Sequence, residues 1–227
     1  RPEEKRFLKQ NGFLAVRDFS SAFELAELRG LVGKVMADDA LANKTTVRDL
    51  TGGTSMAVRE IVSPSQLEPK LLQTRIFRRA MDITEAMFGQ GAVLAYDHII
   101  DKPARSMKET AWHQDSTYSS PLSLSARRLH WWIPLQDVHR DNGCMAYLPR
   151  SHKGPRLRHV PVGPGAHTVK VADTSFASRA AYCEIPAGGA CLHLPRTLHY
   201  TGPNRSDAPR VAWIFQITLR SRLPKWV

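Results

Sequence analysis

A change of hydrophobic period near residue 92 constrains the fold of this chain more than any other feature. Before it, apolar residues recur at helical spacing. Glu3 to Asn11 reads as a short amphipathic helix stopped at Asn11-Gly12. Ser20 or Ser21 caps a helix from about Ala22 to Ala37, with Leu25, Leu28, Leu31 and Val32 on one stripe. Glu68 to Phe88 reads as a second long helix, with Leu71, Leu72, Ile76, Phe77, Ala80, Ile83 and Met87 at helical spacing. Between these, Phe13 to Phe19 alternates like a strand, and Thr45 to Ser63 is polar enough to be loop and short strand. From Ala92 on, short apolar or alternating runs lie between Gly, Pro, Asn and Asp turns. Ala92 to Ile100, Leu129 to Gln136, Gly143 to Leu148, Ala181 to Ile185, Ala190 to His193 and Arg210 to Leu219 all read as strands. Helices first and many strands after predict a mainly β fold, a barrel or double-sheet jelly roll with flanking α-helices packed outside.

With 227 residues the chain is long enough for one sizeable domain, its helical part over 1–90 packing on a β core over 91–222. There is no internal repeat and no low-complexity segment. A hydrophobic share of 42% and a charged share of 23% exclude a disordered chain. No run approaches the roughly 20 apolar residues that span a bilayer. The chain opens on Arg1 rather than Met, so residues are expected to precede it; Gly12 to Val16 is too short an apolar run for a signal peptide. Cys144, Cys183 and Cys191 have no metal-binding spacing and read as reduced, buried thiols of a cytoplasmic protein. The net charge of +11 would suit nucleic acid or small anionic substrates. The basic residues are scattered, with no run of five like charges, which makes nucleic acid the weaker reading. No phosphate loop or dinucleotide fingerprint follows any strand; Gly163-Pro164-Gly165 lacks the Lys-Ser/Thr continuation and reads as a plain loop.

Two His-x-Asp pairs occur, His113-Gln114-Asp115 and His139-Arg140-Asp141. About 0.5 such matches arise by chance with this His and Asp content, so context must separate them. His139 to Asp141 runs into Asn142-Gly143, a turn signal that places it at an exposed loop tip. His113 and Asp115 follow Trp112 without turn residues. On an extended backbone, residues two apart share a face, so both groups would point to one side. Imidazole and carboxylate together suit iron(II), and two His with one carboxylate leave coordination positions open. A third ligand should come from a later strand, followed by a cation for a carboxylate co-substrate. In Leu198-His199-Tyr200-Thr201-Gly202-Pro203-Asn204, continuing to Pro209-Arg210, His199 is read as ending a strand, and Arg210 as starting the next one beside it. The guanidinium fork makes two parallel hydrogen bonds to a carboxylate. His193 is a rival third ligand. Pro195 and Arg196-Thr197 interrupt its strand, so His199 is favoured and His193 becomes a core group or a support for the ligands.

At these residues the chain resembles the phytanoyl-CoA dioxygenase family of iron(II)/2-oxoglutarate oxygenases. The likeness lies in Trp112-His113-Gln114-Asp115, in Trp132-Ile133-Pro134-Leu135-Gln136-Asp137-Val138 through Asn142-Gly143-Cys144-Met145 to Pro149-Arg150-Ser151-His152-Lys153, and in His199 to Asn204 with Arg210. Phe7 to Phe13 also looks like the family's usual opening. The resemblance implies a double-stranded β-helix (cupin-like) core and a metal triad of His113, Asp115 and His199. It implies that Arg210 grips the distal carboxylate of 2-oxoglutarate with Thr201 as helper, and that Trp131, eighteen residues after the first ligand, contacts the co-substrate; its neighbour Trp132 leaves that register open by one. It further implies Fe(II), 2-oxoglutarate and O2 as cofactor and co-substrates, with hydroxylation the default outcome. Some relatives that halogenate lack the carboxylate present here as Asp115, which disfavours halogenation. His98, Arg105 and Lys153 are the expected contacts to a small polar or anionic substrate. The rival readings are a cupin-like binding protein without oxygenase activity and an oxygenase acting on nucleic acid.

Overall fold

A computed structural model describes residues 1–38, 40–50, 58–118, 127–163 and 168–219. The Pro164-Gly165 part of the expected plain loop, and the end of the expected β core beyond 219, lie outside these residues. The helices are α1 (Pro2–Asn11), α2 (Ala22–Met36), α3 (Leu41–Lys44), α4 (Pro64–Leu67) and α5 (Arg75–Phe88). The strands are β1 (Phe13–Val16), β2 (Val47–Asp49), β3 (Arg59–Val62), β4 (Ala92–Lys102), β5 (Thr110–His113), β6 (Arg128–Pro134), β7 (Met145–Tyr147), β8 (His159–Pro161), β9 (Val169–Val171), β10 (Ala181–Cys183), β11 (Ala190–His193), β12 (His199–Thr201) and β13 (Arg210–Leu219). Seven strands form one sheet in the order β1-β11-β6-β13-β4-β3-β2, and four form a second in the order β10-β7-β12-β5. β8 and β9 make a separate hairpin. The two facing sheets are the jelly roll of a cupin-like, double-stranded β-helix fold, with helices packed outside.

Alternation along the central strands sorts side chains into two compartments. On β13, Trp213, Phe215 and Ile217 face the helices, where Phe77 of α5 packs on Trp213 and Phe215. Arg210, Ala212, Ile214 and Gln216 have the other parity and face the second sheet. The same holds on β6: Leu129, Trp131 and Ile133 join the helix-side core, while Arg128, His130 and Trp132 face inward. Between the sheets, Phe13, Trp132, Tyr147, Cys144, Cys183 and Cys191 fill one region with apolar contacts, and the three thiols are buried and free.

Local chemistry sets the element ends. Ser21 caps α2 by accepting from the Glu24 amide at 3.2 Å, and the Glu24 carboxylate accepts from the Ser21 amide at 2.9 Å, a reciprocal cap. The expected single helix over 68–88 is broken: Pro69–Gln73 is a 3-10 turn, and Thr74 caps a new helix by accepting from the Phe77 amide at 3.2 Å. Pro69 suits the tight first turn, and the Thr hydroxyl satisfies a donor that a continuous helix would have bonded internally. His199 opens β12 rather than ending a strand. β12 and β13 are also not neighbours but lie in opposite sheets, so residues 202–209 cross between sheets. Gly143, at φ 83°, makes that crossing compact, because a Cβ there would sit 2.6 Å from the Gly202 carbonyl oxygen.

Candidate metal centre

His113 ends β5 and His199 opens β12; the two pair directly across the smaller sheet. Their rings lie 4.1 Å apart, centroid to centroid. Each Nδ1 sits against a backbone carbonyl, His113 on Ala111 at 2.8 Å and His199 on Thr197 at 3.0 Å. Each Nδ1 therefore carries the proton, and both Nε2 lone pairs face the sheet interior, the tautomer a metal needs. Asp115 follows at the start of a 3-10 turn, and its Oδ1 lies 3.4 Å from His113 Nε2 and 3.5 Å from His199 Nε2. These separations are too long for good hydrogen bonds and leave room for an ion among three donors that all lie within 4.8 Å of one another. Burial, and then the neighbouring His113, pushes the His199 imidazolium well below its usual range, so the ring is neutral. Burial raises the Asp115 carboxyl, but its neighbours, His130 foremost, outweigh it and hold the group well below the usual carboxylate range. The exposed pair His139 and Asp141 contributes to neither candidate metal group among the described residues.

The centre opens on a cavity of about 480 Å³ between the sheets. Arg210, 1% exposed, borders it, and its Nε and Nη1 have no hydrogen-bond partner among the described residues. Burial lowers its pKa to about 10, which still leaves it charged at neutral pH. An unsatisfied buried donor costs on the order of 1–3 kcal/mol, more when charged, so two on one guanidinium mark a place for an anion. A carboxylate, which a guanidinium binds through charge-assisted hydrogen bonds, is the natural occupant. A second basic residue beside Arg210, Lys102, escaped the sequence reading; burial, and then Arg210, pushes its ammonium well below the usual lysine range. It pairs in register with Arg210 and is fully buried, and its Nζ donates to Thr201 Oγ1 at 3.2 Å and to the Gly202 carbonyl at 2.6 Å. Because Thr201 Oγ1 accepts from Lys102, its own proton is left for a ligand oxygen. A lysine followed by a proline gave no sequence signal of burial.

Trp131 does not reach the cavity. It is buried on the helix side of β6, where its Nε1 donates to Thr84 Oγ1 of α5 at 3.3 Å. Trp132 has the inward parity, lines the cavity and lies under Arg210, with 5.5 Å from the guanidinium carbon to the ring centroid. The family-based placement left the register open by one, and it is the neighbour, Trp132, that faces the cavity. Trp131→Leu is expected to cost about 2–4 kcal/mol of stability, as a large core truncation does, and to leave the KM for 2-oxoglutarate within about twofold. Trp132→Leu should raise that KM several-fold. Thermal unfolding and succinate formation read the two effects, and a larger KM shift from Trp131→Leu would overturn the assignment.

Of the expected substrate contacts, His98 lines the cavity; Arg105 and Lys153 do not. Arg105 is exposed and binds Asp207 through Nε at 2.7 Å, and Lys153 is exposed on a 3-10 turn. Both are long charged side chains with a solvated alternative, which a charge count along the sequence cannot distinguish. The cavity instead holds a polar cluster around Glu60. Its Oε1 accepts from His98 at 2.6 Å and from the Tyr96 hydroxyl at 3.2 Å, and its Oε2 from Arg48 at 3.3 Å. Burial pushes the Glu60 carboxyl up, but His98 and Arg48 outweigh that and keep it ionised.

Facing sheets, two imidazoles and a carboxylate around a common point, and a buried guanidinium with free N–H groups beside them are the arrangement of the non-haem iron(II), 2-oxoglutarate-dependent oxygenases. Within that class the chain belongs to the phytanoyl-CoA dioxygenase (PhyH) family, whose model matches residues 8–212. It is 24% identical over 223 residues to the peroxisomal phytanoyl-CoA dioxygenase of Bos taurus, covering 92% of this chain and 66% of that protein, so it spans just under two thirds of that relative's length. It is 27% identical over 220 residues to a probable alpha-ketoglutarate-dependent hypophosphite dioxygenase of Stutzerimonas stutzeri, covering 92% of this chain and 75% of that protein. Among solved structures it is similar to EvdO2 from Micromonospora carbonacea var. aurantiaca complexed with 2-oxoglutarate, with a TM-score of 0.81 and 27% identity over 97% of this chain and 91% of that one.

Proposed function

We propose that this chain hydroxylates a C–H bond of a small polar or anionic metabolite or natural-product intermediate, consuming O2 and 2-oxoglutarate and releasing succinate and CO2. The observation that carries the reading is the pair of orphaned Arg210 N–H groups beside three converging donors. His113, Asp115 and His199 hold the iron, which with 2-oxoglutarate and O2 supplies the oxidant. The rest is positioning. Arg210 takes the distal carboxylate of 2-oxoglutarate through its guanidinium, and Thr201 donates its hydroxyl proton to the same end, held in place by Lys102. Trp132 walls that end off from water. Gln216 lies six residues further along β13, about 20 Å at strand rise, and faces the substrate end with Tyr96, His98 and Glu60. A hydrogen-bonding wall at that end fits a polar substrate better than a purely apolar one.

The helical part over 1–90 and the β core act together in this reading, because β2 and β3 bring Arg48 and Glu60 into the cavity wall. No helix among the described residues is long and apolar enough to cross a membrane. The three free, buried thiols accord with a reducing, cytoplasmic setting.

The test is succinate formation with iron(II), 2-oxoglutarate and O2 across a panel of small acids and neutral polar compounds. Substrate-stimulated, stoichiometric succinate is the expected result. Its absence across the panel, with no iron(II)–2-oxoglutarate absorption band, would favour a binding protein without oxygenase activity. For an anionic substrate kcat/KM should fall with ionic strength, whereas a flat profile selects a neutral one.

A further inference from the structure

Two histidines that the metal assignment does not use grip the same aspartate. His130 on β6 and His193 on β11 are cross-strand partners with stacked rings 5.1 Å apart, and they are 2% and 3% exposed. His130 Nδ1 lies 2.6 Å from Asp115 Oδ2, and His193 Nε2 lies 3.0 Å from the same oxygen. The other His193 nitrogen, Nδ1, is 3.2 Å from the hydroxyl of fully buried Tyr147, which donates to it and leaves the His193 proton on Nε2. Oδ2 therefore receives two N–H groups from the larger sheet, while Oδ1 faces the two free Nε2 atoms of the smaller one.

We propose that His130 and His193 are positioning residues that clamp Asp115 Oδ2, so that Asp115 offers the metal Oδ1 alone. The proposal rests on the ligand assignment above. Its consequence is a count of coordination positions. Two imidazoles, one carboxylate oxygen and two oxygens of 2-oxoglutarate occupy five of six, and one remains for O2. A carboxylate free to rotate and bind through both oxygens would occupy the sixth and close the centre to O2.

Asp115, His130 and His193 also lie close enough together to be read as a metal group of their own. Their geometry argues otherwise. The contacts of 2.6 and 3.0 Å are hydrogen-bond lengths with no space for an ion between. In addition, His193 is held on both nitrogens, whereas His113 and His199 each keep one nitrogen free.

The test exploits the fact that the two histidines donate through different nitrogens. An asparagine amide reproduces the Nδ1 position and a glutamine amide the Nε2 position. His130→Asn with His193→Gln should therefore preserve the clamp, and the swapped pair, His130→Gln with His193→Asn, should break it while introducing the same two residue types. Cobalt(II) in place of iron reports coordination number through the intensity of its visible d–d bands, without need of substrate or turnover. The parent and the matched pair should show the same intensity. The swapped pair should show bands of changed position and intensity, because a second Asp115 oxygen would displace a water from the ion, and its uncoupled succinate formation with iron should fall about 10- to 100-fold, the usual effect of losing a partner of a metal ligand. If the swapped double variant does not fold, the two single swaps carry the same comparison.

Equal spectra from matched and swapped pairs would overturn the clamp in favour of simple packing. Loss of cobalt from the matched pair as complete as from His199→Ala would overturn it in favour of His130 and His193 as ligands. Failure of the oxygenase reading is separately visible: the parent would then bind cobalt but develop no iron(II)–2-oxoglutarate band.

Discussion

Alanine at position 199 is expected to abolish the visible absorption that iron(II) and 2-oxoglutarate develop together on the parent protein without oxygen, and to lower substrate-stimulated succinate formation by at least about 10³-fold, on the order of 4 kcal/mol. His199 is 6% exposed, and its Nδ1 is tied to the Thr197 carbonyl, which fixes its Nε2 toward the centre. With it gone, His113 and Asp115 hold the ion by two donors, too few to outcompete chelation by 2-oxoglutarate in solution. His193→Ala is the informative control, because His193 is as buried as His199 and its ring centroid lies only 4.3 Å away. Its loss should cost about 10- to 100-fold, as expected for a group that supports a ligand. An absorption band that survives His199→Ala and disappears in His193→Ala would reverse the two assignments.

The second large effect is expected at Arg210. Arg210→Met should raise the KM for 2-oxoglutarate by about 10²- to 10³-fold, since breaking one side of a buried charge pair costs about 3–5 kcal/mol. At saturating co-substrate kcat should change far less, because the guanidinium sits at the end of 2-oxoglutarate away from the metal. Without ligand the sign reverses: the parent protein holds a buried cation with two unpaired N–H groups, and Met removes that burden at similar volume. The unliganded variant should therefore melt no lower than the parent, while the rise in Tm on adding 2-oxoglutarate to the parent should vanish in the variant. A KM within threefold of the parent's would mean that another cation binds the co-substrate, and Lys102, in register with Arg210, would be the one to test next.

Legibility in the sequence followed locality. β11 and β13 span the runs read as strands, and Ser21 caps α2, one of the two serines that its position before an apolar stripe left open. His113 and Asp115 came out together although the strand ends at His113 and Asp115 opens a 3-10 turn, because a two-residue separation keeps them close in either conformation. The 68–88 helix failed as a single element because periodicity persists across a Pro and a Thr that end one helical piece and start another. Trp131 and Trp132 could not be told apart because β6 is buried on both faces: alternation loses its contrast when Leu129, Trp131 and Ile133 face one core and His130 and Trp132 the other.

What the order of residues determined by itself was the candidate donors for the centre, with His199 favoured over His193, since a two-residue spacing and a histidine shortly before a turn and an arginine are local facts that survive any packing. What only the tertiary structure decided was the company those donors keep. His130, Lys102 and Glu60 come from strands of the larger sheet far apart along the chain, and each reads in isolation as an ordinary polar or charged residue; His193, legible as a support for the ligands, acquires its partners Asp115 and Tyr147 in the same way. They become part of a site only when facing sheets remove them from water, because a group with no solvent to bond must take its partners from whatever the fold has placed beside it.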